Sequence, residues 1–104
     1  MTDIHSNITI PTTKVKESSL SQLDLANIKF GHAFTDHMFV VDYDNGEWIN
    51  PQIRPFGPIP MHPATSSIHY GQSIFEGMKA HRNKEGEIVF FRMDDHAARF
   101  CYSA

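Results

Sequence analysis

The sequence predicts a mixed α/β fold of the α+β kind, with antiparallel hairpins followed by a C-terminal helix. Three observations predict it. Asn45-Gly46 separates two runs rich in β-branched and aromatic residues, 38–44 and 47–49, and this dipeptide is a strong two-residue hairpin signal. Residues 78–82 and 87–91 flank Asn83-Lys84-Glu85-Gly86, which reads as a second hairpin with Gly86 in the left-handed position of the loop. Met93, Ala97, Phe100, Cys101 and Ala104 then fall on one face at helical spacing.

Taken in order, residues 1–29 are polar and hold no sustained period, so they are expected to form a mobile leader, ordered only by packing on other structure. Within the leader, Ile8 and Ile10 alternate with Thr9 before Pro11, the pattern of a short edge strand. Ser18, Ser19 and Ser21 ahead of Leu23-Asp24-Leu25 predict a single turn of helix. After the first hairpin come Pro51, Pro55, Pro58, Pro60 and Pro63. Proline removes a backbone donor and fixes φ, which predicts an extended, irregular connection from Pro51 onward. Past the second hairpin, Asp94 or Asp95 is expected to cap the helix by accepting from its free N–H groups. No glycine or other stop signal follows, so the expectation is a fragment whose residues 30–104 are an incomplete domain.

Composition narrows the function classes. The chain has 104 residues, one domain's worth and enough for a modest core. Its formal net charge is -3, and the lysines of the leader are scattered, so nucleic-acid binding has no electrostatic footprint. The run from Met38 to Val41 is far too short to span a bilayer, and Asp3 and His5 at the N-terminus do not make a secretory signal. One cysteine, Cys101, excludes an internal disulfide and predicts a reduced, cytoplasmic setting. The chain has 7 histidines, none of them at the i,i+4 spacing of a helical zinc site, and Cys101 has no CxxC partner, so no metal site is expected.

The most informative stretch runs from Thr65 to Ala80, with His69-Tyr70-Gly71 and Ile74-Phe75-Glu76-Gly77 at its centre. By residue type alone it reads as a buried turn, with Tyr70 and Phe75 in the core. It also resembles a family. Phe30-Gly31, Phe34-Thr35-Asp36-His37-Met38, Ile53-Arg54-Pro55-Phe56, His62-Pro63-Ala64, His69-Tyr70, Phe75-Glu76-Gly77-Met78-Lys79-Ala80 and Phe91-Arg92 with Arg99 stand in the order found in branched-chain amino-acid aminotransferases. These are pyridoxal-phosphate enzymes of fold type IV. The resemblance runs from about Phe30 to the last residue, and departs from the family pattern at Met93 and His96.

That resemblance implies the small N-terminal domain of such an enzyme, pyridoxal 5'-phosphate as cofactor, amino acids and 2-oxo acids as substrates, and a homodimer. It implies amino-group transfer between Leu, Ile or Val and 2-oxoglutarate. Arg99 matches the arginine that binds the cofactor phosphate; a guanidinium fork suits phosphate oxygens, though on its residue type alone Arg99 reads as a surface helix arginine. Phe30 and Phe75 match pocket-wall residues, and Tyr70 matches a pocket tyrosine that reaches the partner subunit's site. The Schiff-base lysine of the family has no match among Lys14, Lys16, Lys29, Lys79 and Lys84, and is expected in a second domain beyond Ala104. Lys79 reads as a solvated strand lysine, and Glu76-Gly77 as turn chemistry rather than a base. Accordingly no catalytic residue is assigned within the chain, which alone is expected to be inactive. Two alternatives stay open: another fold type IV enzyme, such as a D-amino-acid aminotransferase or aminodeoxychorismate lyase, and a non-catalytic interaction domain.

Overall fold

The structure is a computed structural model that describes residues 9–104. It divides into two units, Met1–Ile59 and Pro60–Ala104. Each contains one antiparallel hairpin, and the second ends in a helix, so the predicted combination of hairpins and helix is present.

In the first unit, β1 (His37–Asp44) pairs with β2 (Glu47–Pro55). Asn45 (φ 47°) and Gly46 (φ 81°) both take positive φ at the turn, which matches the right-handed twist of the flanking strands. Tyr43 and Trp48 face each other across the ladder, ring centroids 4.9 Å apart and edge to face. Phe34 and Phe56 stack at 4.9 Å just outside the open end of the hairpin.

The expected irregular connection does not begin at Pro51: β2 runs on to Pro55. The register explains why. Val40 pairs with Gln52 and Asp42 with Ile49, so Asn50 and Pro51 together oppose Val41 in a bulge. Asn50 takes φ 54°, a conformation asparagine tolerates well, and a bulge is a place where a proline's missing N–H costs no ladder bond.

Of the edge strand expected at residues 8–10, Ile8 lies outside the described residues; pairing is seen slightly later. Thr12 forms a parallel bridge with Ile53, whose N–H donates to the Pro11 carbonyl at 2.9 Å and whose carbonyl accepts from Thr13 N–H at 2.9 Å. The expected helical turn is a 3₁₀ turn at Leu20–Gln22.

In the second unit, α1 (Ser66–Tyr70) is one short turn, ended by Gly71 in the left-handed conformation (φ 63°) with its N–H on the Ser66 carbonyl. Residues 72–79 carry no regular structure. β3 (Ala80–Arg82) and β4 (Ile88–Phe90) make the second hairpin. Asn83 closes its loop, its Oδ1 accepting from Glu87 N–H at 2.8 Å and its carbonyl from Gly86 N–H at 3.1 Å. α2 (Met93–Ser103) follows, and it begins earlier than expected. Arg92, in the left-handed region (φ 53°), occupies the cap position without a side-chain cap bond. Asp94 and Asp95 fall inside the first turn, where negative charge is favoured by the helix dipole. The chain must turn sharply from β4 into the helix, and Arg92 makes that turn.

A modest core was expected, and among the described residues none is formed: no side chain is buried. The apolar face of α2 stays open as well, with Met93 and Phe100 both substantially exposed.

Candidate functional site

The densest polar cluster of the second unit joins the irregular segment before β3 to α2. His96 and Arg99 are three apart on α2 and so share a face. Glu76 meets both. Arg99 Nε donates to Glu76 Oε2 at 2.8 Å, and Arg99 Nη2 donates to Oε1, closing a two-point carboxylate–guanidinium pair. His96 Nδ1 lies 3.1 Å from Glu76 Oε1. An ionised carboxylate only accepts, so this bond requires the proton on Nδ1. The Glu76 side chain is 10 % exposed and that of Arg99 64 %, so the anchor is largely covered and the cation largely exposed. The Arg99 guanidinium, with help from His96, pulls the Glu76 carboxyl down from 4.5 to about 2, and Glu76 in turn raises Arg99.

This pairing uses one edge of the guanidinium. Of its five N–H groups, Glu76 takes those along the Nε–Nη2 side. The end-on edge, one N–H each from Nη1 and Nη2, keeps the fork geometry that matches two oxygens of an oxyanion. Arg99 lines a cleft of about 540 Å³ together with Ser73, Ile74, Phe75, Glu76, Gly77 and Ser103.

The residues singled out by sequence are partly brought together. Phe75 shares the cleft with Arg99 and is 90 % exposed. Tyr70, the last residue of α1, lies outside that lining and is 79 % exposed, its ring 6.5 Å from that of His69. The buried-turn reading of this stretch is thereby overturned: no packed layer covers either ring. Phe30 belongs to the first unit, in a turn with Gly31 (φ 80°), and its side chain is fully exposed. Lys79 borders a separate cleft with Gly77, Met78 and His96.

The first unit has its own polar cluster, which the sequence did not single out. Asp36 Oδ1 accepts from Ser19 N–H at 3.0 Å and Ser19 Oγ at 2.7 Å, and Asp36 Oδ2 accepts from Ser18 Oγ. Beside it His37 Nε2 accepts from Val15 N–H at 3.0 Å. The serine hydrogen bonds hold the Asp36 carboxyl down from 3.8 to about 2. Next to this cluster Leu20, Leu23, Leu25, Ile28, Ala33 and Phe34 line a largely apolar cavity of about 460 Å³. Both acids stand in motifs visible in the sequence, Glu76 as turn chemistry, but neither pairing is local: Ser19 lies 17 residues from Asp36 and Arg99 lies 23 from Glu76.

The chain is similar to curated aminotransferases. It is aminotransferase-like along most of its length. More narrowly, it is branched-chain-aminotransferase-like. It is 45 % identical over 102 residues to the branched-chain-amino-acid aminotransferase of Mycolicibacterium smegmatis, covering 97 % of this chain and 26 % of the relative. It is 44 % identical over 77 residues to branched-chain-amino-acid transaminase 1 of Bacillus subtilis, covering 73 % of this chain and 22 % of the relative. With the cytosolic branched-chain-amino-acid aminotransferase of Mus musculus it shares 42 % over 98 residues, covering 93 % of this chain and 24 % of the relative. The chain thus spans about a quarter of the length of the curated relatives it matches. No protein-family model matches the chain. Among the described residues, no helix is long and apolar enough to cross a membrane.

Proposed function

We propose that this chain is the small-domain segment, preceded by its leader, of a pyridoxal-phosphate-dependent branched-chain aminotransferase. In this reading the complete protein is a cytoplasmic homodimer that moves the amino group between Leu, Ile or Val and 2-oxoglutarate. The observation that carries it is the 45 % identity over 97 % of the chain.

When bound, pyridoxal phosphate supplies the electron sink and carries the amino group. The residues present fit its phosphate. Arg99 keeps a two-pronged edge free, and Ser73 and Ser103 border the same cleft. Arg99 holds the phosphate by charge-assisted bonds, which orients the cofactor rather than altering it. Phe75 and, separately in the first unit, Phe30 each offer apolar surface to substrate, where each methylene of a Leu, Ile or Val side chain gains on the order of 0.8 kcal/mol on leaving water. Tyr70 serves the site of the partner subunit, which is consistent with its exposure. The residue that holds the cofactor covalently belongs to the remainder of the protein.

Subunit mixing tests this reading. One full-length variant carries Tyr70→Ala, the other lacks the cofactor-bonding lysine, and amino transfer from leucine to 2-oxoglutarate is followed after subunit exchange. In a heterodimer the site with an intact lysine receives its tyrosine from the other subunit, so activity is expected to return. A wild-type protein without leucine activity overturns the functional assignment. Heterodimers no more active than the single variants confine Tyr70 to its own subunit.

A further inference from the structure

We propose that Glu76 is a positioning residue for Arg99: it grips the inner edge of the guanidinium from within the second unit and so aims the outer edge at a phosphate-sized oxyanion in the adjoining cleft. This rests on the reading of Arg99 given above and adds a residue to which the resemblance assigns no such part.

Four observations carry it. The pair is two-pointed, Nε to Oε2 and Nη2 to Oε1, so it fixes the plane of the guanidinium as well as its position. A single contact would leave that plane free to turn. The carboxylate is itself held, because His96 Nδ1 lies within hydrogen-bonding distance of Oε1. Glu76 is 10 % exposed against 64 % for Arg99, so the restraint comes from the better-covered partner and the Arg99 side chain stays largely accessible. The cleft bordered by Arg99 is also bordered by the hydroxyl-bearing Ser73 and Ser103, and Ser103 Oγ in turn donates to the Arg99 carbonyl at 3.0 Å.

The arrangement has an electrostatic cost, and that makes it testable. Glu76 cancels the charge of Arg99, so a site relying on net charge would bind phosphate better without it. A site relying on a preorganised fork would bind worse, because Arg99 would have to be ordered at the moment of binding. The two accounts predict opposite signs for one substitution.

The experiment uses the full-length protein stripped of cofactor, with pyridoxal 5'-phosphate and pyridoxal as probes that differ only in the phosphate. Equilibrium dialysis gives the affinity ratio for wild type, Glu76→Ala, Glu76→Gln, Arg99→Ala and the Glu76→Ala, Arg99→Ala double variant. Glu76→Ala is expected to lower the preference for the phosphorylated probe about tenfold, the equivalent of roughly one charge-assisted hydrogen bond, with pyridoxal affinity unchanged. Arg99→Ala should lower it further, and the double variant should match Arg99→Ala, since a positioning residue has nothing left to position. Should Glu76→Ala lose both probes through misfolding, the near-isosteric Glu76→Gln is read in its place, again with a lowered ratio expected. A ratio that rises or stays level on changing Glu76, while Arg99→Ala lowers it, overturns the positioning role alone. A ratio unmoved by Arg99→Ala overturns the phosphate reading and this proposal with it.

Discussion

Asp36 ties the segment before β1 to the start of that strand through three bonds from two consecutive serines. Each is charge-assisted, so all weaken when the carboxyl is protonated. The sign of the pH dependence follows. With the Asp36 carboxyl held down from 3.8 to about 2, its contribution is full above pH ~4 and is lost as pH falls through about 2. Glu76, held down from 4.5 to about 2, loses its hold on Arg99 over a similar acid range. Asp36→Ala should release residues 15–20 even at neutral pH. Amide exchange at Ser19 and tryptic cleavage after Lys16 should both accelerate, on the order of tenfold for the loss of charge-assisted bonds. Unchanged rates would show that the segment is held by Pro11, Thr13 and Val15 alone. The serine-rich run was legible in the sequence as one turn; its anchor, 17 residues away from Ser19, was not. No local pattern connects an aspartate to serines that arrive by a separate piece of chain.

Among the elements, hairpins were the most legible because their turns are local. Asn45-Gly46 meets the backbone requirement of its turn without help from elsewhere. Gly46→Ala isolates that requirement. An added methyl at Gly46 would meet nothing within 4 Å, so the cost is purely that of φ 81°, about 1–2 kcal/mol for a residue with a Cβ. Gly57→Ala, with equally open space and no positive φ, should be close to neutral. Comparing the thermal midpoints of the two full-length variants checks this; equal losses would mean that the turn does not limit the stability of β1–β2. The bulge at Asn50-Pro51 was not legible, because a bulge exists only relative to a partner strand, and Pro51 read locally as a breaker. The start of α2 is ambiguous in the sequence for a related reason. Aspartates serve both as caps and as first-turn residues, and only the path out of β4 decides between them.

At the scale of the whole chain, composition could give the class but not the burial. A normal apolar fraction predicts a core, yet no described side chain is buried, and Phe75, Trp48, Phe91 and Tyr102 all stand in solvent. Net stability is a small surplus of burial over chain entropy, and without burial that surplus is absent. The isolated 104-residue chain should therefore melt without a cooperative transition and bind a hydrophobic dye such as ANS. It should also take up no stoichiometric pyridoxyl group when treated with pyridoxal phosphate and borohydride. A sharp calorimetric transition would show that the apolar rings find cover within this chain. A single fully labelled lysine with leucine activity would show that the chain is catalytic by itself. The candidate cleft was legible in part. The resemblance singles out Arg99 and Phe75 as candidates, whereas Glu76, in the same motif as Phe75, meets Arg99 only once α2 is in place.

The bridge between Thr12 and Ile53 also sets an order of events in time. Among the described residues, the leader's anchors Asp36, His37 and Ile53 belong to β1–β2 or its immediate flank. The leader is made first but can dock fully only after β2 is made. Ile53 follows Thr12 by about forty residues, so at ordinary elongation rates the leader waits roughly 2–8 s for its partner to be synthesised. The hairpin itself closes within about 1–10 μs once its strands are free. Nascent chains arrested before and after Ile53 emerges would therefore differ in the leader while sharing the same amino-terminal sequence.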